Sequence, residues 1–80
     1  MKLYLLTQND NNDYDTYDSV LVCAKDEADA RTIPPNGDVF EENQQWSGWA
    51  IKASSIDCEE IGKANNKQER GVIISSYNAG

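Results

Sequence analysis

Lys2-Leu3-Tyr4-Leu5-Leu6-Thr7 and Ser19-Val20-Leu21-Val22-Cys23-Ala24 are the two stretches from which the rest of the chain is placed. In the first, Leu3, Leu5 and Thr7 project to one side of an extended backbone and Tyr4 and Leu6 to the other. That pattern predicts a central strand, covered on at least part of both faces. In the second, β-branched and apolar residues again favour a strand, and a hairpin joining the two is the simplest arrangement.

The connection between them, Gln8 to Asp18, is nearly all Asn, Asp and Tyr. Such residues hydrogen-bond their own backbone and favour turns, so one long loop is expected. Beyond the second strand, Asp26 is a suitable helix N-cap, Glu27 and Asp29 carry the negative charge that a helix start favours, and Ala28 and Ala30 are strong helix formers. A short helix of about two turns follows, with Ala28, Thr32 and Ile33 as a narrow apolar stripe. Pro34-Pro35-Asn36-Gly37 ends it, because neither proline can donate a helical hydrogen bond and the first also restricts Ile33.

Residues 38 to 50 show no clean period, and Val39, Phe40, Trp46 and Trp49 are expected to close one end of the core. Ser54 to Ala64 and Gly71 to Tyr77 read as strands. In the first, Ile56, Cys58 and Glu60 alternate with Asp57 and Glu59, and the second contains the β-forming run Val72-Ile73-Ile74. The polar connection Asn65 to Arg70 suggests that these two form a second hairpin. The expected fold is α+β, ββ-α-ββ, a four- to five-stranded mainly antiparallel sheet with one short helix packed on it.

The totals bound what such a fold can do. Eighty residues make a single compact domain, 1–80, and a chain this short buries only about 60 % of the surface its unfolded form exposes. No stretch approaches the roughly 20 apolar residues of a membrane helix, and the start turns polar too soon for a secretory signal. Fourteen acidic side chains against seven basic ones give a net charge of -7, which disfavours direct nucleic-acid binding. That charge has two readings, solubility alone or attraction to basic partners.

Catalytic equipment is sparse. There is no His, so general acid-base work at neutral pH would need a strongly buried carboxylate or Lys, and a Cys nucleophile lacks its partner. Cys23 and Cys58 are the only cysteines, too few for a zinc site of the usual kind; a single bridge between them is geometrically possible, but two reduced core thiols are the expectation. Glu41/Glu42 and Glu59/Glu60 are sequence neighbours, so on a strand each pair divides between two faces and cannot share a substrate. The five glycines are scattered, with no phosphate-cradling loop. A non-enzymatic protein without metal or cofactor is the expectation.

The loop from Asn9 to Asp18 concentrates the carboxylates of Asp10, Asp13, Asp15 and Asp18 with no basic residue. Oxygen ligands of this kind suit calcium, but the loop lacks the Gly and the terminal Glu of an EF-hand. Three readings remain for it: weak cation binding, Asx turns with Tyr14 and Tyr17 packed back on the domain, or an interaction surface in which tyrosines supply contact area and carboxylates imitate phosphates toward a basic groove. The C-terminal Ser75-Ser76-Tyr77-Asn78-Ala79-Gly80 is either a fraying end or an extension that pairs with a partner's sheet edge.

Leu5-x-x-Gln8, Tyr14-Asp15-Thr16-Tyr17-Asp18-Ser19, Glu27-x-x-Ala30-Arg31, Gly71-Val72-Ile73 and Tyr77-Asn78-Ala79-Gly80 together resemble a group of small acidic proteins encoded by bacteriophages and prophages. The likeness runs over nearly the whole chain. It implies a viral origin, residence in the host cytoplasm, and, by analogy of class, an inhibitor of a host defence complex of the anti-CRISPR kind. On that reading Asp10, Asp13, Asp15, Asp18, Glu41, Glu42, Glu59 and Glu60 would dock on a host protein with a basic surface, and Tyr14 and Tyr17 would add contact area. The alternative is a small-ligand sponge or oligomeric accessory protein, with Trp46, Trp49 and the tyrosines stacking on a nucleotide base.

Overall fold

A computed structural model describes residues 1–11, 16–35, 40 and 48–78. Its frame is a four-stranded antiparallel sheet with one short helix against it. The strands are β1 (Lys2–Gln8), β2 (Thr16–Ala24), β3 (Ile56–Lys63) and β4 (Gly71–Asn78), and the helix α1 is Glu27–Ala30. As expected, β1 and β2 form a hairpin, with Leu5 opposite Leu21 and Leu6 opposite Val20. Both strands are longer than their apolar cores suggest. Gln8 extends β1 and Thr16-Tyr17-Asp18 begin β2, which shortens the connecting loop at both ends.

The second hairpin does not form. The sheet order is β3-β1-β2-β4, so β3 pairs with β1, β4 pairs with β2, and the two lie on opposite edges. A crossing of three inter-strand spacings is about 14 Å, and the seven residues from Ala64 to Arg70 reach roughly 23 Å when extended, so the short polar link spans the sheet end with slack. Apolar residues decide the order. Leu3, Leu5, Leu6, Val20, Leu21 and Val22 occupy the centre, where both faces are at least half buried, while the charged β3 takes an edge. The crossing link is fastened at both ends, by Ala64 N–H to the Met1 carbonyl at 3.1 Å and by Arg70 to α1.

Tyr4, Leu6, Val20, Val22, Ala24 and Ile56 point to one face and form the core with Ala30, Ile33, Trp49 and Ala50, with Phe40 packed alongside. Trp49, at 1 % exposure, is its largest fully buried side chain, as expected of an aromatic that closes the core. The helix is a single turn rather than two. Asp26 caps it as expected, accepting from Asp29 N–H at 2.8 Å, but Arg31 and Thr32 already leave the helix before Pro34. Its buried residue is Ala30, followed by Ile33, and Ala28 faces solvent, so the apolar stripe lies two residues later than Ala28 would set it.

Both cysteines are free. Cys23 stands opposite Leu3 and Cys58 opposite Leu6, which puts them on opposite faces of the sheet. They are also two strand spacings apart, about 9.6 Å, beyond the Cα separation that a disulfide spans. Burial, and then the nearby Glu27 carboxylate, push the Cys58 thiol above its ordinary value, with Arg31 opposing.

Candidate functional site

The described acidic side chains fall into two groups, those consumed by the fold and those left to solvent. Asp10 belongs to the first. Its two carboxylate oxygens accept from the backbone N–H groups of Ile51 and Lys52, each at 3.0 Å. Partial burial works against ionisation there, but those two amides, with the Ser55 hydroxyl and the Asp10 N–H, outweigh it and hold the carboxyl below its ordinary value. Asp10 thus fastens the start of the β1–β2 loop to the segment that follows Trp49.

Gln8 is the centre of the same anchorage and is 6 % exposed. It continues the inward alternation of Tyr4 and Leu6, which brings its amide to Asp10, Asn11 and Tyr17 at the two ends of the loop. Its Nε2 donates to the carbonyls of Asn11 (2.9 Å) and Tyr17 (2.7 Å), and its Oε1 accepts from the N–H groups of Asp10 and Asn11, both at 3.0 Å. Asn11 in turn donates from Nδ2 to the Trp49 carbonyl at 2.8 Å. Tyr17 N–H donates to the Gly48 carbonyl at 2.6 Å, and Gly48 supports this with a φ of 78°, in the region that favours glycine. The ends of the loop are therefore rigidly held.

Asp26, Glu27, Asp29 and Glu60 are also engaged. Arg70 grips Asp29 with Nε 3.0 Å from each oxygen, and this guanidinium is the main cause that lowers the Asp29 carboxyl. Glu27 meets Arg31 at 3.3 Å, and Glu60 meets Lys2 at 3.2 Å. The Glu60 carboxylate raises the Lys2 ammonium, first through their hydrogen bond and then through its charge.

Asp18, Asp57, Glu59 and Glu69 remain, the last in the link that crosses the sheet end. All four are exposed, and among the described residues no cation pairs with them. Asp57 stands opposite Thr7 and Glu59 opposite Leu5, so both rise from the sheet face turned away from α1, about 6.6 Å apart along β3. Glu60, one residue on, faces the other way, as the alternation requires. Asp18 is the extra residue where the β2–β4 register shifts, and its carboxylate accepts from the neighbouring Ser19 hydroxyl at 3.2 Å. Tyr17 is half-buried and its ring lies 4.7 Å from that of Tyr77, tilted by 60°.

The same outward face carries an apolar row. Leu5, Leu21 and Ile74 stand directly across β1, β2 and β4, and Ile74 is 65 % exposed. The face thus grades from carboxylates at the β3 edge to aliphatic side chains at the β4 edge. Of the expected docking residues, Asp57's neighbour Glu59 joins this face, Asp18 lies beside it, Asp10 and Glu60 are tied into the fold, and Asp13, Tyr14, Asp15, Glu41 and Glu42 lie outside the described residues, as does Trp46. Trp49 is buried in the core. Sequence reasoning passed over Gln8, whose signal was its place in the Tyr4-Leu6-Gln8 alternation, and over Asp57 as a site residue.

Among the described residues, no group of three or more Cys, Asp or Glu side chains could hold a metal ion, and no helix is long and apolar enough to cross a membrane. No protein-family model, curated protein or solved structure matches the chain.

Proposed function

We propose that this is a non-enzymatic binding protein, encoded by a bacteriophage, that inhibits a host defence complex by docking an acidic surface on a basic, nucleic-acid-binding surface of its partner. The observation that carries this reading is the uncompensated pair Asp57 and Glu59 on the outward face, flanked by Thr7 and Leu5 and followed by the aliphatic row to Ile74. Carboxylates of that kind attract Lys and Arg at long range, and the adjoining aliphatic side chains supply area to bury once contact is made. The phage origin and the anti-CRISPR-like role rest on the sequence resemblance, and the site of action on that reading is the host cytoplasm.

The test is capture from a bacterial lysate by the tagged protein at graded salt, with the triple variant Asp18→Asn, Asp57→Asn, Glu59→Gln in parallel. The captured partner should be basic, should elute as the screening length shrinks below about 8 Å, and should be missing from the variant eluate. Capture that withstands high salt, or that the neutralised variant retains, contradicts the proposal.

A further inference from the structure

We infer that the protein associates with a second copy of itself through the exposed edge of β4, joining the two sheets antiparallel around Ile74–Ser76 into one eight-stranded sheet. An edge strand presents a row of unpaired N–H and C=O groups, and folded proteins usually blunt it with charge, proline or irregularity. The two edges of this sheet differ in that respect. β3 carries Asp57, Glu59, Glu60 and Lys63, and its pairing with β1 shifts register at Leu3/Tyr4. From Val72 to Tyr77, β4 carries no charge and no proline, and it exposes Ile73 (39 %), Ile74 (65 %) and Ser76. Its pairing with β2 shifts register twice, at Leu21/Val22, where Ile73 is the extra residue of β4, and at Tyr17/Ser19, where Asp18 is the extra residue of β2; between the two shifts Ile74, Ser75 and Ser76 face Leu21, Val20 and Ser19 one for one.

Charge selects the second copy as the occupant. With a net charge of -7 on each chain, two copies approach most easily where the surface is neutral, and β4 is such a strip, whereas β3 against β3 would confront carboxylates with carboxylates. A two-fold axis at Ser75 keeps the aliphatic rows Leu5, Leu21, Ile74 of the two copies on one face, staggered by two residues, with Ile74 of each opposite Ser76 of the other. It also consumes both bare edges and leaves only the two charged β3 edges outside. The assembly therefore closes as a dimer and does not extend into a fibre.

Sedimentation velocity of the full chain across a concentration and salt series tests this, and it is independent of any host partner. A dimer is expected that tightens as salt rises, because screening relieves the repulsion of two anions. Docking on a basic surface weakens with salt, so the two readings fail separately. Ile74→Lys and Ser76→Lys, both at exposed positions, should each raise the dimer dissociation constant by about tenfold or more, since each puts two lysines in diagonal reach on either side of the two-fold axis and Ile74→Lys also removes aliphatic contact area. Glu59→Gln, on the other edge, should leave dimerisation intact. Hydrogen exchange of the unaltered protein supplies a second readout, with amides in 73–76 gaining protection as concentration rises. A monomer up to about 1 mM overturns the inference. So does a dimer indifferent to both lysine variants, or one whose β4 amides exchange at the same rate at every concentration.

Discussion

Replacing Gln8 by Leu removes a side chain that satisfies four backbone groups while leaving most of its volume filled. Two of its bonds, to the Asn11 carbonyl and from the Asn11 N–H, lie in fully buried surroundings, and the other two are partly buried. A buried backbone group left without a partner costs about 1–3 kcal/mol, so the two buried bonds alone predict a loss of about 2–6 kcal/mol. An 80-residue domain has roughly 4–12 kcal/mol in all, which makes this change one of the most damaging available at a polar position. With a urea m-value of about 1 kcal/mol/M for a chain of this size, the unfolding midpoint should fall by about 2 M or more.

Gln8→Glu sharpens the test. A carboxylate still accepts from the two amides but sets a charge against the Asn11 and Tyr17 carbonyls. Burial and those carbonyls raise its folded pKa. The variant should therefore be most stable, relative to the parent, below the ordinary Glu value of about 4.3, and should lose that stability as pH rises through the raised value. A midpoint shift under about 0.5 M for Gln8→Leu, with the m-value unchanged, would refute the claim that this amide holds the loop to the core.

Asp10→Asn should cost about 1–2 kcal/mol at neutral pH in urea unfolding, since one charge-assisted acceptor for the Ile51 and Lys52 amides is lost. Because the folded Asp10 carboxyl lies below its ordinary value, its contribution is complete above about pH 3.9 and disappears as pH falls through the lower folded value, so the variant should show a shallower acid loss than the parent. With a thiol reagent at neutral pH, Cys58 should react slowly, being partly buried with a raised thiol pKa. Cys23, at 0 % exposure, should react only when the protein unfolds. Equal rates at the two positions would contradict the placement of Cys23.

The central hairpin was readable because Leu3 to Leu6 and Val20 to Val22 alternate with little ambiguity, and the helix start because Asp26 has the chemistry of a cap. The neighbours of β3 and β4 were not readable. A polar link ending at Gly71 looks the same whether it folds back on itself or crosses the end of a sheet, and the choice is made by which strands can bury both faces. Asp10 illustrates the other limit. In the sequence it is one of several clustered carboxylates available to a partner, and only the approach of Ile51 and Lys52, some forty positions away, turns it into an internal fastening. Gln8 was hidden by its polarity, which reads as the beginning of a loop although its position in the alternation points inward.

The strand order also sets how the chain must assemble. Only the first two strands can zip together locally. Each outer strand must close a large loop to find its place, since Lys2 meets Lys63 and Thr16 meets Asn78, both about sixty positions apart. The entropy of those closures is lost before the pairings return anything, which places folding in the millisecond-to-second range typical of non-local β topologies. Neither half of the chain then holds a self-sufficient set of contacts, so a cut in the connection after Lys63 should abolish cooperative unfolding and not release a stable fragment.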